Sequence, residues 1–201
     1  MVIASHVIFS AYGFWLPNDP RGSWSDFVGA WELFRFGGAA TKVDTRRSLA
    51  GDPHDRKTRI ETKWRLKYPA VTFTGIQARA IGNGFRQFSE KNGLRIWACA
   101  ILPDHAHLVI ARHKTKVEQL VTLLKGAATR ALVDEGVHPF AGFPKKNGCL
   151  PKCWARGEWK VFLDDAEDVA RAISYVEDNP VKEGLPAQRW SFVTEFDSTP
   201  V

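Results

Sequence analysis

Apolar residues fall in short runs along this chain, and the spacing within each run predicts its element. Val2 to Ser10 (VIASHVIFS) is β-branched and aromatic and reads as a buried first strand. From Thr74 to Lys91, Ile76, Ala80, Ile81, Phe85 and Phe88 recur at helical spacing, and Asn92-Gly93 supplies a stop. Leu94 to Leu102 and His105 to Arg112 read as two strands, with Pro103-Asp104 making the corner between them. Thr115 to Val133 is an amphipathic helix with Val117, Leu120, Val121, Leu124 and Ala128 on its apolar stripe. Trp159 to Leu163 is a short strand. Asp164-Asp165 offers an N-cap for a last helix through Val169, Ala172, Ile173 and Val176. That helix is expected to end near Asn179-Pro180, because the residue before a proline disfavours helical geometry. Beyond Leu185 no pattern is visible.

Strand, helix, strand, strand, helix, strand, helix is the order of an α+β, ferredoxin-like (split βαβ) domain. The expectation is an antiparallel sheet with helices on one face, an insertion after strand 1 and an extra C-terminal helix. The first and third strands should be central. The insertion, at about residues 13–70, mixes Gly, Pro, Trp and charge without periodicity. Such a stretch inside a compact domain is either functional or a lineage-specific addition. Its basic residues include Arg46, Arg47, Arg56, Lys57, Arg59, Lys63, Arg65 and Lys67, with Trp64 among them. They read either as a solvated loop with a short helix or as a substrate-contacting arm with phosphate contacts and a stacking aromatic.

Composition narrows the partners. With 201 residues and 44% hydrophobic content, one domain over residues 1–201 can bury a genuine core. The net charge of +6 favours a polyanionic partner. Arg79, Arg86, Arg95, Lys114, Lys125 and Arg130 are candidate phosphate contacts or simply solvated, whereas Phe73, Phe85, Trp97 and Trp159 are expected in the core. Three cysteines, with only Cys149 and Cys153 near each other, argue against a disulfide framework and leave a zinc site without its second pair. No signal peptide or run of ~18–20 apolar residues is visible, so a soluble, cytoplasmic protein without a membrane partner is expected.

The candidate chemistry starts with His105-Ala106-His107. Alternate residues of a strand share a face, so both imidazoles project together, with Leu108 and Ile110 on the opposite side. Two neutral imidazoles plus an oxygen donor suit Mg²⁺ or Mn²⁺, although a chance His-x-His pair binds nothing. Tyr175 and Asn179 are spaced i, i+4 and share a helix face. A phenol with its ordinary pKa of about 10 is a weak nucleophile unless a cation assists it. By helical geometry alone, Tyr175 reads as an amphipathic residue whose hydroxyl reaches the surface. Asn179 reads as a helix cap or as an oxygen ligand.

In this setting the segment Leu102 to Ile110 resembles the HUH motif (His, bulky apolar, His) of single-tyrosine transposases. Trp154 to Trp159 followed by Ile173 to Leu185 resembles the signature of their REP-associated branch, tyrosine-apolar-x-x-Asn-Pro-apolar-basic-x-Gly-Leu. The resemblance covers roughly residues 1–12 and 70–186. Two departures stand out: the middle residue is the small Ala106, and the insertion is long for minimal members. The resemblance implies metal-dependent cleavage and rejoining of single-stranded, hairpin-flanked DNA through a 5′-phosphotyrosine link. It further implies His105 and His107 as metal ligands, Asn179 as the third, Tyr175 as nucleophile, and Mg²⁺ or Mn²⁺ as cofactor. Such a protein would act beside DNA in a bacterial cytoplasm, as a monomer or homodimer. The competing readings are a non-catalytic nucleic-acid-binding ferredoxin-like module, which lacks any RNA-recognition signature here, and an unrelated metal hydrolase.

Overall fold

Four strands carry the architecture: β1 (Ala4–Ser10), β2 (Ile96–Ile101), β3 (His105–Ala111) and β4 (Trp159–Leu163). They pair antiparallel in the order β2-β3-β1-β4, so the first and third strands are central, as expected for the ferredoxin-like arrangement. The computed structural model describes residues 1–43, 45, 49 and 51–197; Arg46 and Arg47 of the basic stretch lie outside them.

Helix α1 (Trp31–Gly37) and helix α2 (Arg56–Lys63) belong to the insertion; α3 (Gly75–Asn92), α4 (Val117–Asp134) and α5 (Ala166–Lys182) belong to the domain. Thr74 and Gln77 form a reciprocal capping box that starts α3, and Gly93 at φ +62° ends it. The Asp165 carboxylate accepts from Asp168 N at 2.7 Å and starts α5.

Strand alternation divides the core into two layers. Val7, Phe9, Ala106, Leu108 and Ile110 meet Ala80, Ile81 and Phe85 of α3 and Leu120, Val121 and Leu124 of α4. On the other face, Ala4, Val109 and Ala111 meet Val169, Ala172 and Val176 of α5. The paired helices thus share one face, and the extra helix covers the face that carries the histidines.

Helix α5 does not stop at Asn179-Pro180 as expected but continues to Lys182. Pro180 forfeits one ladder bond in the last turn. The chain closes around it through Glu183 N to Asn179 O (3.1 Å) and Leu185 N to Pro180 O (2.8 Å). Both Asn179 and Pro180 are buried, and that packing outweighs the local preference.

Two segments without sequence pattern are held by tertiary contacts. The tail lies along β2, where the Gln188 carboxamide accepts from Ile101 N and donates to Ile101 O, both at 2.8 Å. It thereby covers an edge strand that would otherwise offer open hydrogen-bonding groups. The insertion leaves and rejoins the domain at one point, since Val71 N donates to Tyr12 O (2.8 Å). Leu16, Leu33 and Leu49 are buried, and Asn18 Nδ2 donates to Leu33 O (2.8 Å) within α1 and to Gly38 O (3.3 Å) just past its end. The described residues of the insertion are therefore packed onto one another and include two short helices.

Helices α3 and α4 touch through Gly84, where a Cβ would stand 2.7 Å from Ala127 O and 2.8 Å from Ala128 Cα. Neither neighbour is a movable side-chain end. Gly84→Ala is expected to destabilise the fold by about 1–3 kcal/mol, although alanine is the better helix former. An unchanged denaturation midpoint would contradict this close approach. The three cysteines are free thiols, Cys99 and Cys153 buried and Cys149 exposed. Among the described residues no helix is long and apolar enough to cross a membrane.

Candidate active site

Pleating places His105 and His107 on the α5 face of β3, with ring centroids 4.8 Å apart. On β1, His6 pairs with Val109 and so projects on the same face. Its Nε2 lies 3.1 Å from His107 Nδ1, and the two rings stack at 5.4 Å. From α5, the Asn179 carboxamide nitrogen reaches His107 Nε2 at 3.1 Å. One turn earlier, the Tyr175 ring stands 5.7 Å from His107 and 5.8 Å from His6. All four residues singled out in the sequence are thus brought together. Asn179 is not a helix cap, because the helix runs past it and its side chain faces the histidine.

The neighbours orient the rings. Asp104 Oδ1 accepts from His105 Nδ1 at 2.6 Å, which leaves Nε2 as the ring atom available to a ligand. His107 is 2% exposed, and burial first, then the charges of His105 and His6, hold its pKa well below the ordinary histidine value. Burial pulls His6 down to about 4. Both rings are therefore neutral near pH 7, the form that binds metal. With Nδ1 of His107 donating to His6, its Nε2 lone pair faces Asn179.

Sequence reasoning missed His6. The available signal was a lone imidazole at alternate spacing in an otherwise apolar first strand, which became informative only once β1 and β3 were paired. It also missed Phe14, which lies flat against His105 at 5.3 Å and 5°. Lys63 Nζ sits 5.6 Å from the Phe14 ring centroid, and burial, followed by repulsion from Arg59, lowers its pKa against the opposing pull of Asp19 and Asp104. One cation of the insertion thus approaches the site. Trp159, expected in the core, is half-buried and edges onto His6 at 5.7 Å.

The other cations singled out in the sequence stand elsewhere. Arg79 and Arg86 are on α3 and Arg130 is on α4, in the layer behind the sheet; Lys114 is in the connection leading to α4. Arg86 pairs with Glu90 at 3.4 Å. Lys125 is held inward, its ammonium donating to Ala155 O (3.1 Å) and Gly157 O. Burial pulls its pKa down to about 8, against the attraction of Glu158. It acts as a tether for the loop before β4.

Among the described residues no group of three His, Cys, Asp or Glu side chains is placed to hold a metal, so oxygens of the Asn179 carboxamide, of water or of a substrate phosphate would have to join the imidazoles. The donor chemistry fits. Ligands about 2.1 Å from one octahedral ion stand about 3 Å apart, and the Asn179 terminus stands 3.1 Å from His107 Nε2. The two ends of a carboxamide occupy nearly the same volume, so a half-turn presents Oδ1 in place of Nδ2.

The chain belongs to the IS200-like transposase family, whose model matches residues 56–179. Among curated relatives, the ISDra2 transposase TnpA of Deinococcus radiodurans is 27% identical over 97 residues, which are 48% of this chain and 62% of that protein. The match therefore spans less than two thirds of that relative. A solved REP-associated tyrosine transposase bound to a REP hairpin aligns over 92% of this chain and 70% of that one, with a TM-score of 0.48 and 12% identity. A candidate transposase from Deinococcus radiodurans R1 aligns over 89% and 91%, with a TM-score of 0.37 and 17% identity.

Proposed function

We propose that this chain cuts and rejoins single-stranded DNA beside hairpins, with Tyr175 as nucleophile and His105, His107 and Asn179 as ligands of a divalent ion. The observation that carries the reading is the placement of Tyr175 5.7 Å from the His107 ring while Asn179, one turn on, meets the same ring. A phenol beside two neutral imidazoles and an amide is poorly explained as packing, because Tyr175 is 44% exposed. An ion of the Mg²⁺ or Mn²⁺ class bound there would polarise the phosphate and offset charge building on its oxygens.

The residues of the chain do the rest. The Tyr175 oxygen attacks phosphorus, and the bond from phosphorus to the 3′ oxygen breaks. The phenol gives up its proton and the freed 3′ oxygen takes one. The 5′ phosphate stays esterified to Tyr175, so a 3′-hydroxyl can reverse the step without a nucleotide cofactor. Asp104 holds His105 in register, and His6 holds His107, so neither imidazole reorients during the exchange. Lys63, beside Phe14, attracts the strand.

The test is a pool of hairpin-flanked single strands with randomised flanks, incubated with the protein and Mn²⁺. The expected product is a denaturation-resistant adduct whose peptide map carries a 5′-phosphate on Tyr175. DNA that is bound, or cut, without any covalent link to the protein would exclude the mechanism.

A further inference from the structure

A cavity of about 110 Å³ adjoins the site, walled by Trp15, Ser23 and Trp24 of the insertion and by Arg156, Glu158 and Trp159 before and at the start of β4. It is well below the ~300–1,000 Å³ of pockets for drug-sized ligands, and suits a single planar ring system. Its indoles form a row. Trp15 and Trp24 are nearly parallel (13°) at 6.5 Å, and Trp24 stands 5.6 Å from Trp159. Trp159 in turn contacts His6, which contacts Tyr175. A chain of ring contacts therefore links the cavity wall at Trp159 to Tyr175.

The row is rigidly backed. Arg21 donates through Nε and Nη2 to the two oxygens of Asp19, each at 2.8 Å, with both side chains nearly excluded from solvent. Its guanidinium lies 3.8 Å from the Trp15 ring centroid, and Trp15 Nε1 donates to Gly22 O at 2.7 Å. Against this support Trp24 is left 40% exposed. A pre-organised aromatic platform of this kind loses little entropy on taking a ring.

Building on the DNA-cleaving function above, we propose that this cavity takes one unpaired nucleobase within a few nucleotides of the phosphate at Tyr175, stacked on Trp24 and Trp159 and read by Glu158. The carboxylate gives the reason for a base. Glu158 is 11% exposed by side chain, and its ion pair with Lys160 at 4.0 Å carries no hydrogen bond, the Lys160 ammonium donating to Glu118, so the Glu158 oxygens keep acceptor capacity. A half-buried anion repels phosphates, so in a DNA-binding cleft it serves N–H donors on a base edge. Guanine offers two adjacent donors on its Watson–Crick edge. Cytosine and adenine each set one amine beside an acceptor nitrogen, and thymine sets one N–H between two carbonyls. Guanine is the base this carboxylate selects. Arg156, exposed at the rim, meets the adjoining phosphate. Lys125 fixes the loop that presents Glu158 by holding the carbonyls of Ala155 and Gly157.

The test is equilibrium binding of labelled d(TG)₆, d(TC)₆, d(TA)₆ and d(T)₁₂ to the full chain in chelator, where no cleavage occurs. Wild type should prefer d(TG)₆. Trp24→Ala should weaken that strand by about 5- to 100-fold, the range one base–aromatic stack spans, and Trp24→Phe by only a few-fold. Glu158→Gln should keep the binding but erase the preference for d(TG)₆ over d(T)₁₂. Unchanged affinity in Trp24→Ala, or an unchanged ranking in Glu158→Gln, would overturn the proposal while leaving Tyr175 cleavage standing. Failure of wild type to bind any single strand would overturn both.

Discussion

Tyr175→Phe is expected to abolish the covalent protein–DNA adduct completely while changing single-strand affinity by no more than a few-fold. The substitution removes one oxygen from a ring that is 44% exposed, so folding is little affected. The phenyl ring keeps its place beside His6 and His107. What is lost is the atom proposed to form the ester. The chain has three tyrosines, and the other two are poor substitutes. Tyr12 packs against Tyr68 and Phe140, and burial pushes its pKa up, which makes its phenolate harder to form. Tyr68 packs against Phe140 and Phe143. Adduct formation by the Phe variant, followed in denaturing gels, would remove Tyr175 from the mechanism.

His105→Ala should be nearly as damaging to activity and almost neutral to folding. Its side chain is 16% exposed and its polar partner is Asp104, whose carboxylate reaches solvent when the ring is gone. Loss of one of the three proposed donors should reduce adduct formation by at least about 100-fold, since a bound ion would contribute several kcal/mol to stabilising the transferring phosphate. Calorimetry should show weakened Mn²⁺ binding with a thermal midpoint within a few degrees of wild type. His107→Ala is the less informative variant. It would strand both His6 and Asn179 in a buried setting and lower stability together with activity. Full activity of His105→Ala under metal-limited conditions would rule out the ligand assignment.

Periodic elements were legible because each satisfies its own burial pattern. The strands, helices α3 and α4, and the shared face of His105 and His107 follow from alternation and from spacing of three and four. Spacing of four put Tyr175 and Asn179 on one helix face, but their candidate roles came from the resemblance to single-tyrosine transposases and not from the spacing. His6 was not legible, because its role depends on the register between β1 and β3, a long-range pairing. Pro180 misled because local preference stops a helix there, whereas burial of Asn179 and Pro180 carries it through. The tail and the insertion escaped because their order comes from contacts such as Gln188 with Ile101 and Phe14 with His105, which leave no repeat in sequence. Basic residues were the weakest guide. Net charge suggested a polyanion, but it did not separate Lys63, near the site, from Lys125, which holds a loop.

Tyr175 and Asn179 sit one turn apart on the same helix, and that shared mounting ties two operations together. On the roles proposed above, a swing of α5 that withdrew the nucleophile would also strip a donor from the ion. A detached helix would leave two imidazoles and a weakly held metal, and a docked one would restore both at once. Metal affinity would then report helix position.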